Sequence, residues 1–394
     1  MATPPRLIER VVRPLTVVVF FTLAVLPVLL LGIDGPWLGP GIPSMRARHD
    51  LPAQIRTGFF TAFDSWFADR IGLRLVLIRL GTGFHVALLQ RPTARQVVFG
   101  LDGWMFWPDD GDKVPVTMAD IRGHLRLEPE EIRQIGNHLR AIRERLATCG
   151  GTALVIVAPN KQSIYPEYLL GDRTVPASTR LDDLLQRLDP SVSAMVIDPR
   201  PELRAAKAAP GPRLYNKTDT HWNQLGAFHA YRKVVQALER ARPASRPELA
   251  SLAHYDVVVQ HYEGGDLAAR MLFSPWRFPD RDVILRPRPE VPAVSSTLLA
   301  DRGQMLTNPQ GTGRLLLEGD SFAPPLADFL ARHFATVLVP ETGRFAGEIV
   351  TRYRPDVVLL EVAERNLNRL AREPRQLDRV CAPIENTREG PPHS

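Results

Sequence analysis

Leu315-Leu316-Leu317-Glu318-Gly319-Asp320-Ser321 is the stretch from which the architecture can be read. The leucines form a short apolar run of strand type, Gly319 permits a sharp turn, and a helical pattern begins near Pro325. Ser321 therefore stands between a strand and a helix, where an α/β fold presents a nucleophile.

The same alternation recurs on either side. Pro129 opens a helix in which Ile132, Ile135, Leu139, Ile142 and Leu146 step by three and four; Glu130 and Glu131 occupy its first turn and Gly150-Gly151 ends it. Apolar residues 153–157 follow as a strand, and residues 194–197 form another candidate. Residues 224–238 read as a second long helix, with Leu225, Phe228, Tyr231, Val234, Val235 and Leu238 on one side. Strand runs at 336–339 and 357–362 complete the series, separated by helical stretches at 326–334 and 345–353. The pattern predicts an α/β fold, a mostly parallel sheet with helices on both faces. Residues 97–107 read as two short strands joined by Gly100-Leu101-Asp102-Gly103. Residues 249–312 break into proline-punctuated pieces, expected to be an irregular insertion beside the sheet. No repeat of solenoid period is visible.

With 394 residues, 44% hydrophobic and 23% charged, the chain has an ordinary globular composition and ample material for a core. Residues 14–33 carry no charge, a length that suits a hydrocarbon core of roughly 30 Å. Arg6, Arg10 and Arg13 precede that run against the single Glu9, which predicts a cytoplasmic N-terminus and export of everything after Ile33. The run is longer than a usual signal-peptide core and lacks an A-x-A site, so an uncleaved N-terminal transmembrane helix is favoured over a cleaved signal. The expected organisation is 1–13 cytoplasmic, 14–33 anchor, 34–94 juxtamembrane amphipathic linker, 95–372 main domain and 373–394 tail. Within the linker, Phe59, Phe60, Phe63, Trp66 and Phe67 share one helical face, a stripe expected to be buried against its own domain.

A formal net charge of +6 most simply reflects scattered surface arginines; as a guide to partners it points to anionic glycans or membrane lipid before nucleic acid, because no Lys/Arg block is interleaved with aromatics. No CxxC, HExxH or Cys/His cluster appears, so neither metal nor cofactor is expected. Cys149 and Cys381 either pair in an oxidising compartment or are two separate thiols.

A serine hydroxyl needs a base to take its proton, and His221 is the candidate. Asp219 lies two residues away, on the same side of an extended segment, where its carboxylate can reach the imidazole. Asp219-Thr220-His221 has other readings: a turn, a helix N-cap, or a metal pair lacking a third ligand. Gly319-Asp320-Ser321 can equally be a helix cap.

Tyr215-Asn216-Lys217-Thr218-Asp219-Thr220-His221-Trp222-Asn223 resembles the signature of the SGNH-hydrolase-like domain of alginate O-acetyltransferases of the AlgJ and AlgX kind. Further segments match in the same order: Val98-Phe99-Gly100-Leu101-Asp102-Gly103-Trp104-Met105-Phe106, Ala158-Pro159-Asn160-Lys161 with Tyr165-Pro166-Glu167, and Gly319-Asp320-Ser321-Phe322. The resemblance implies that Ser321 is the nucleophile, His221 the base and Asp219 its orienting acid. It implies acetyl transfer to a hydroxyl of an exopolysaccharide through an acetyl-serine, with a membrane-bound O-acyltransferase as acetyl donor. Together with the uncharged run 14–33 and the arginines before it, this leads to the expectation of a single-pass inner-membrane protein whose catalytic domain is periplasmic. A carbohydrate esterase using the same triad, and a non-catalytic part of a secretion complex, are the alternatives. Lys161 and Tyr165 either line the site or are structural. Trp222 is a sugar platform or a packed side chain, and Arg344 a uronate clamp or a surface arginine. Glu364-Arg365-Asn366 occupies the place where SGNH enzymes put an oxyanion-hole asparagine.

Overall fold

The computed structural model describes residues 7–30, 49–52, 57–70, 74–108, 118–171, 178–242, 251–299, 303–341, 347–372 and 380. Among the described residues the α-helices α1 (Leu7–Leu29), α2 (Phe59–Arg70) and α3 (Arg74–Phe84) come first. Helix α1 begins in the basic segment and covers most of 14–33. Among the described residues no helix is long and apolar enough to cross a membrane, so the fold does not support the expected transmembrane span, whose last residues lie outside the described ones. The aromatic stripe also departs from expectation: no residue of α2 is buried, and Phe60 is 76% exposed. Spaced four apart, Phe59, Phe63 and Phe67 stack on one another along the helix, with centroids 6.1 and 6.2 Å apart, instead of on the domain.

The next elements run β1 (Val98–Phe99), β2 (Met105–Phe106), α4 (Pro129–Ala147), β3 (Thr152–Ala158), α5 (Lys161–Ile164), α6 (Arg180–Arg187), α7 (Pro190–Ser193) and β4 (Val196–Ile197). After them come α8 (Arg200–Ala208), α9 (Gln224–Ala241), β5 (Tyr255–Tyr262), β6 (Asp280–Pro287), β7 (Ser295–Leu298), β8 (Gln304–Thr307) and β9 (Arg314–Glu318). The last are α10 (Ala323–Leu330), β10 (Thr336–Val339), α11 (Gly347–Tyr353) and β11 (Val357–Ala363). Strands β1 and β2 pair antiparallel across the expected turn, where Asp102 and Gly103 take φ of +52° and +78°.

The main sheet has the order β4-β3-β11-β9-β10-β8-β7; β4 through β10 are parallel neighbours, and β8 and β7 add an antiparallel edge. A parallel sheet needs cover on both faces, and the side chains of β3 show it. Leu154, Ile156 and Ala158 enter one core with Phe228 and Tyr231 of α9 and Leu326 and Phe329 of α10. Ala153, Val155 and Val157 enter the other with Ile135, Leu139 and Leu146 of α4. The start of α4 is secured by a capping box between Glu128 and Glu131.

The stretch expected to be irregular is in large part strand. Strands β5 and β6 form a separate antiparallel ribbon from Tyr255 to Pro287, and β7 and β8 extend the main sheet. Prolines sit at the ribbon's margins, Pro287 closing β6, so the ladder loses no interior donor. Strands β3, β11 and β9 are parallel neighbours, and their carboxyl ends therefore share one rim. Asn160, Glu364 and Asp320 each lie just beyond one of those ends.

Candidate active site

Two segments meet at that rim. Glu318 ends β9, and Gly319 turns the chain where there is no room for a side chain: a Cβ there would lie 2.6 Å from Glu361 Oε2 and 2.9 Å from the Ala323 Cβ. Glu361, buried in β11, accepts the Asp320 N–H at 2.8 Å. Asp320 in turn accepts the N–H of Phe322 at 3.3 Å and, at 3.2 Å each, the N–H of Ala363 and the side-chain amide of Asn366. Asp320 is thus a structural acceptor that holds the turn, and it leaves Ser321 exposed at its crest.

The second segment, 215–222, is bracketed by an antiparallel bridge between Tyr215 and Trp222 and runs into α9, whose N-cap Asn223 accepts the Gly226 N–H at 3.1 Å. Lys161, buried after β3, ties it down. Its ammonium donates to the carbonyls of Asn216, Lys217 and Asp219 at 3.0, 2.8 and 2.6 Å. Burial draws the Lys161 pKa down to about 7, against the pull of Asp219, Asp266 and Asp280. Asp280 of β6 accepts both the N–H and the hydroxyl of Thr218, at 2.9 and 2.8 Å.

The structure brings Ser321, His221 and Asp219 together across a hundred residues. The Ser321 Oγ lies 2.7 Å from His221 Nε2, and His221 Nδ1 lies 2.7 Å from Asp219 Oδ1. A nitrogen facing a carboxylate must carry the proton, so Nδ1 is the donor and the Nε2 lone pair faces the serine hydroxyl. Asp219 Oδ1 also accepts the His221 N–H at 2.9 Å, while Oδ2 takes the Tyr262 hydroxyl at 3.1 Å and the Asp266 N–H at 3.2 Å. Burial alone would raise the Asp219 pKa, but hydrogen bonds and charge from His221 outweigh it and hold the carboxyl far below the usual range. The imidazole also packs on Phe322, with ring centroids 4.7 Å apart.

The other sequence candidates take structural positions or fall outside view. Lys161 is a clamp for the backbone. Tyr165 is buried, accepts the Leu214 N–H at 2.9 Å and packs on Trp104 at 4.6 Å; burial pushes its pKa up to about 12. Trp222 is 3% exposed and meets Phe322 edge-on, so it offers no face to a sugar. Arg344 lies outside the described residues. Cys149 is disulfide-bonded, and Cys381, the chain's other cysteine, lies outside them too.

Sequence reasoning missed three contributors. Tyr262 and Asp266 come from the proline-rich insertion, whose one visible signal is the turn-type run Glu263-Gly264-Gly265-Asp266. Asp266 accepts the Thr220 N–H at 2.8 Å and the Thr220 hydroxyl, and its Oδ2 lies 3.7 Å from His221 Nδ1. Burial, then the charge of Asp219, raises the Asp266 pKa. The third is Glu361, which burial and then Asp320 hold well above the ordinary glutamate value. Asp219, His221 and Asp266 each offer a donor atom within 4.8 Å of the others, a spacing a metal could use. Those atoms are already committed: Asp219 and His221 to each other, Asp266 to Thr220.

Hydroxyl, imidazole and carboxylate in series on the rim of a doubly covered parallel sheet is the arrangement of the SGNH-hydrolase-like class. Residues 97–344 match the family described as SGNH hydrolase-like domain, acetyltransferase AlgX, and the chain belongs to that family. Among curated relatives, a probable alginate O-acetylase AlgJ of Pseudomonas aeruginosa is 28% identical over 204 residues, 50% of this chain and 46% of that protein. Its Pseudomonas putida counterpart is 27% identical over 219 residues, 54% and 51% of the two chains. The chain thus spans about half the length of the curated relatives it matches. Of solved structures, the O-acetyltransferase domain of Pseudomonas putida AlgJ aligns at TM-score 0.45 and 18% identity, covering 69% of this chain and 92% of that one. Bacillus cereus PatB1 with a sulfonyl adduct aligns at 0.49 and 14%, covering 71% and 100%.

Proposed function

We propose that this chain is an O-acetyltransferase that takes an acetyl group onto Ser321 and passes it to a hydroxyl of an alginate-like exopolysaccharide. The observation that carries the reading is the series from Ser321 Oγ through His221 to Asp219, with both links at 2.7 Å. Ser321 Oγ attacks the donor's acetyl carbonyl as His221 Nε2 takes its proton; the donor's leaving group departs with that proton. A sugar hydroxyl then attacks the acetyl-serine, its proton passes to Nε2, and the proton returns to Ser321 as the ester breaks. Asp219 keeps the imidazole in the reactive tautomer and stabilises its charged form. We assign the backbone N–H of Ser321 to the oxyanion, because those of Asp320 and Phe322 are given to Glu361 and Asp320; such a donor is worth roughly 3 kcal/mol.

Membrane attachment, periplasmic location and a membrane-bound O-acyltransferase as donor belong to the same proposal. Their support is the uncharged run 14–33, the arginines before it, and a disulfide at Cys149 of the kind oxidising compartments maintain.

The test is mass spectrometry of the intact protein after brief exposure to an activated acetyl ester. An acetyl group on Ser321, absent in Ser321→Ala and transferred to an added uronate oligosaccharide, is the expected result. A wild-type protein that never acquires the adduct overturns the reading. The exposure of Ser321 favours one second reading, an esterase with water as acceptor. It predicts free acetate released at a rate indifferent to added oligosaccharide.

A further inference from the structure

Arg365 follows β11 at the same rim as Ser321 and is a partly buried cation with little to hold it. Its one hydrogen bond among the described residues is a long one, from Nη1 to the Asn160 side-chain carbonyl at 3.4 Å. Its guanidinium otherwise lies over aromatic rings, 5.8 Å from the centroid of Trp107 and 5.4 Å from that of Phe322. Phe322 is the ring that packs on His221, so one aromatic side chain separates the guanidinium from the imidazole. No carboxylate among the described residues pairs with it; Asp320, Asp266 and Glu361 act on it only at longer range. Asp320 and Asp266 have each spent their oxygens on other donors, Asp320 on Phe322, Ala363 and Asn366, Asp266 on Thr220.

A guanidinium in this position is expensive to keep. Desolvation disfavours its charge, the first cause of its lowered pKa, and an unpaired buried charge lacks the compensation that an ion pair provides. Elsewhere in the same fold buried arginines are fully paired: Arg200 meets Asp182, Asp198 and Glu364, and Arg180 meets Asp120. The exception sits beside the nucleophile.

We propose that Arg365 binds the carboxylate of an acidic sugar at the acceptor side of the Ser321 site. Four of its five N–H donors are uncommitted, and their planar fork matches a carboxylate in two parallel hydrogen bonds. The partly exposed ring of Trp107 beside it supplies the flat apolar face that a pyranose ring covers. The negative groups at longer range disfavour a multiply charged anion such as phosphate and tolerate a singly charged one. This assignment rests on the acetyltransferase reading only for the word acceptor; binding of an acidic sugar at Arg365 is separable from acetylation of Ser321.

The experiment measures binding by titration calorimetry in the full-length Ser321→Ala protein. The probes are a mannuronate oligosaccharide and the same oligosaccharide with its carboxyl groups reduced to alcohols. Arg365→Gln in that background is expected to weaken binding of the acidic probe about tenfold or more, and that of the neutral probe less than about twofold. Arg365→Lys, which keeps the charge and loses the fork, falls between them. Matching melting temperatures of the three proteins exclude misfolding as the cause. Equal weakening of both probes, or an unchanged affinity for the acidic one, overturns the proposal. Failure of Ser321 to acetylate, with Arg365-dependent binding intact, overturns only the function proposed above.

Discussion

The Asp266 N–H donates to Asp219 Oδ2 at 3.2 Å, joining the ribbon insertion to the carboxylate that orients His221. Asp266 then turns its own carboxylate back on Thr220, the residue between Asp219 and His221. Asp219 and His221 are therefore held from both sides, by Lys161 on the backbone and by Asp266 and Tyr262 beside them.

Asp219→Asn keeps the shape of the side chain and removes its charge. The amide no longer dictates that Nδ1 carries the proton, and acylation of Ser321 by an aryl acetate is expected to slow on the order of 10³-fold. Stopped-flow release of the aryl leaving group reads it. A rate within about tenfold of wild type would show that Asp219 does not orient the base.

Asp266→Asn tests the second carboxylate. It keeps an acceptor toward Thr220 while removing a charge beside Asp219, so the acylation rate should fall by about tenfold, far less than for Asp219→Asn. The pH dependence has a defined sign. A carboxyl whose folded pKa is raised binds more protons folded than unfolded, so its contribution to stability is full at acid pH and is lost as pH rises through that window. The melting temperature of Asp266→Asn relative to wild type should rise with pH across the range above the ordinary aspartate value. A flat difference removes the electrostatic account.

Lys161→Met leaves three carbonyls, the buried one of Asn216 and the part-buried ones of Lys217 and Asp219, without their donor. The expected loss is about 3 kcal/mol of stability near neutral pH, seen as a lower urea midpoint, together with a lower acylation rate. Because burial lowers the Lys161 pKa to about 7 from 10.5, the folded protein binds fewer protons than the unfolded chain between those values. Wild-type stability should therefore rise relative to Lys161→Met as pH increases through that window. A difference that shrinks instead would mean the ammonium is not desolvated.

Gly319→Ala places a methyl group 2.6 Å from Glu361 Oε2 and 2.7 Å from Glu361 Cβ. Either the turn or β11 must move, with an expected cost of about 1–3 kcal/mol and a displaced Ser321. Differential scanning calorimetry and the acylation rate report the two effects. Gly265→Ala makes a paired probe, since its Cβ would fall 2.3 Å from Asp219 Cβ and disturb the acid instead of the nucleophile.

The parallel strands and their covering helices were legible because each has an apolar run or stripe bounded by turn residues; β10 matches its expected bounds, and β3, β9 and β11 run one residue beyond theirs. The meeting of Ser321 with His221 was implied by the family resemblance, and the spacing of Asp219 and His221 anticipated their contact. What stayed hidden has a common cause. Tyr262 ends β5, most of whose residues are exposed, and Asp266 lies in the turn just beyond it, so no apolar alternation announces either. Trp222 looked available because periodicity does not say which face of a turn is covered, and Phe322 covers it. In the sequence Arg365 is marked only as the middle of Glu364-Arg365-Asn366, and its want of an ionic partner among the described residues is visible only in three dimensions.

Strand β11 is the last strand among the described residues and yet lies between β3 and β9, flanked on both sides by partners made earlier. Before residues 357–363 have left the ribosome the sheet is two unjoined halves, one bearing the His221 segment and the other Ser321. Glu361, which fixes the turn before the serine, arrives with that same strand. The chemistry of the rim is thus withheld from the nascent polypeptide until β11 has emerged, and a fragment ending before β11 should be inert as well as poorly folded.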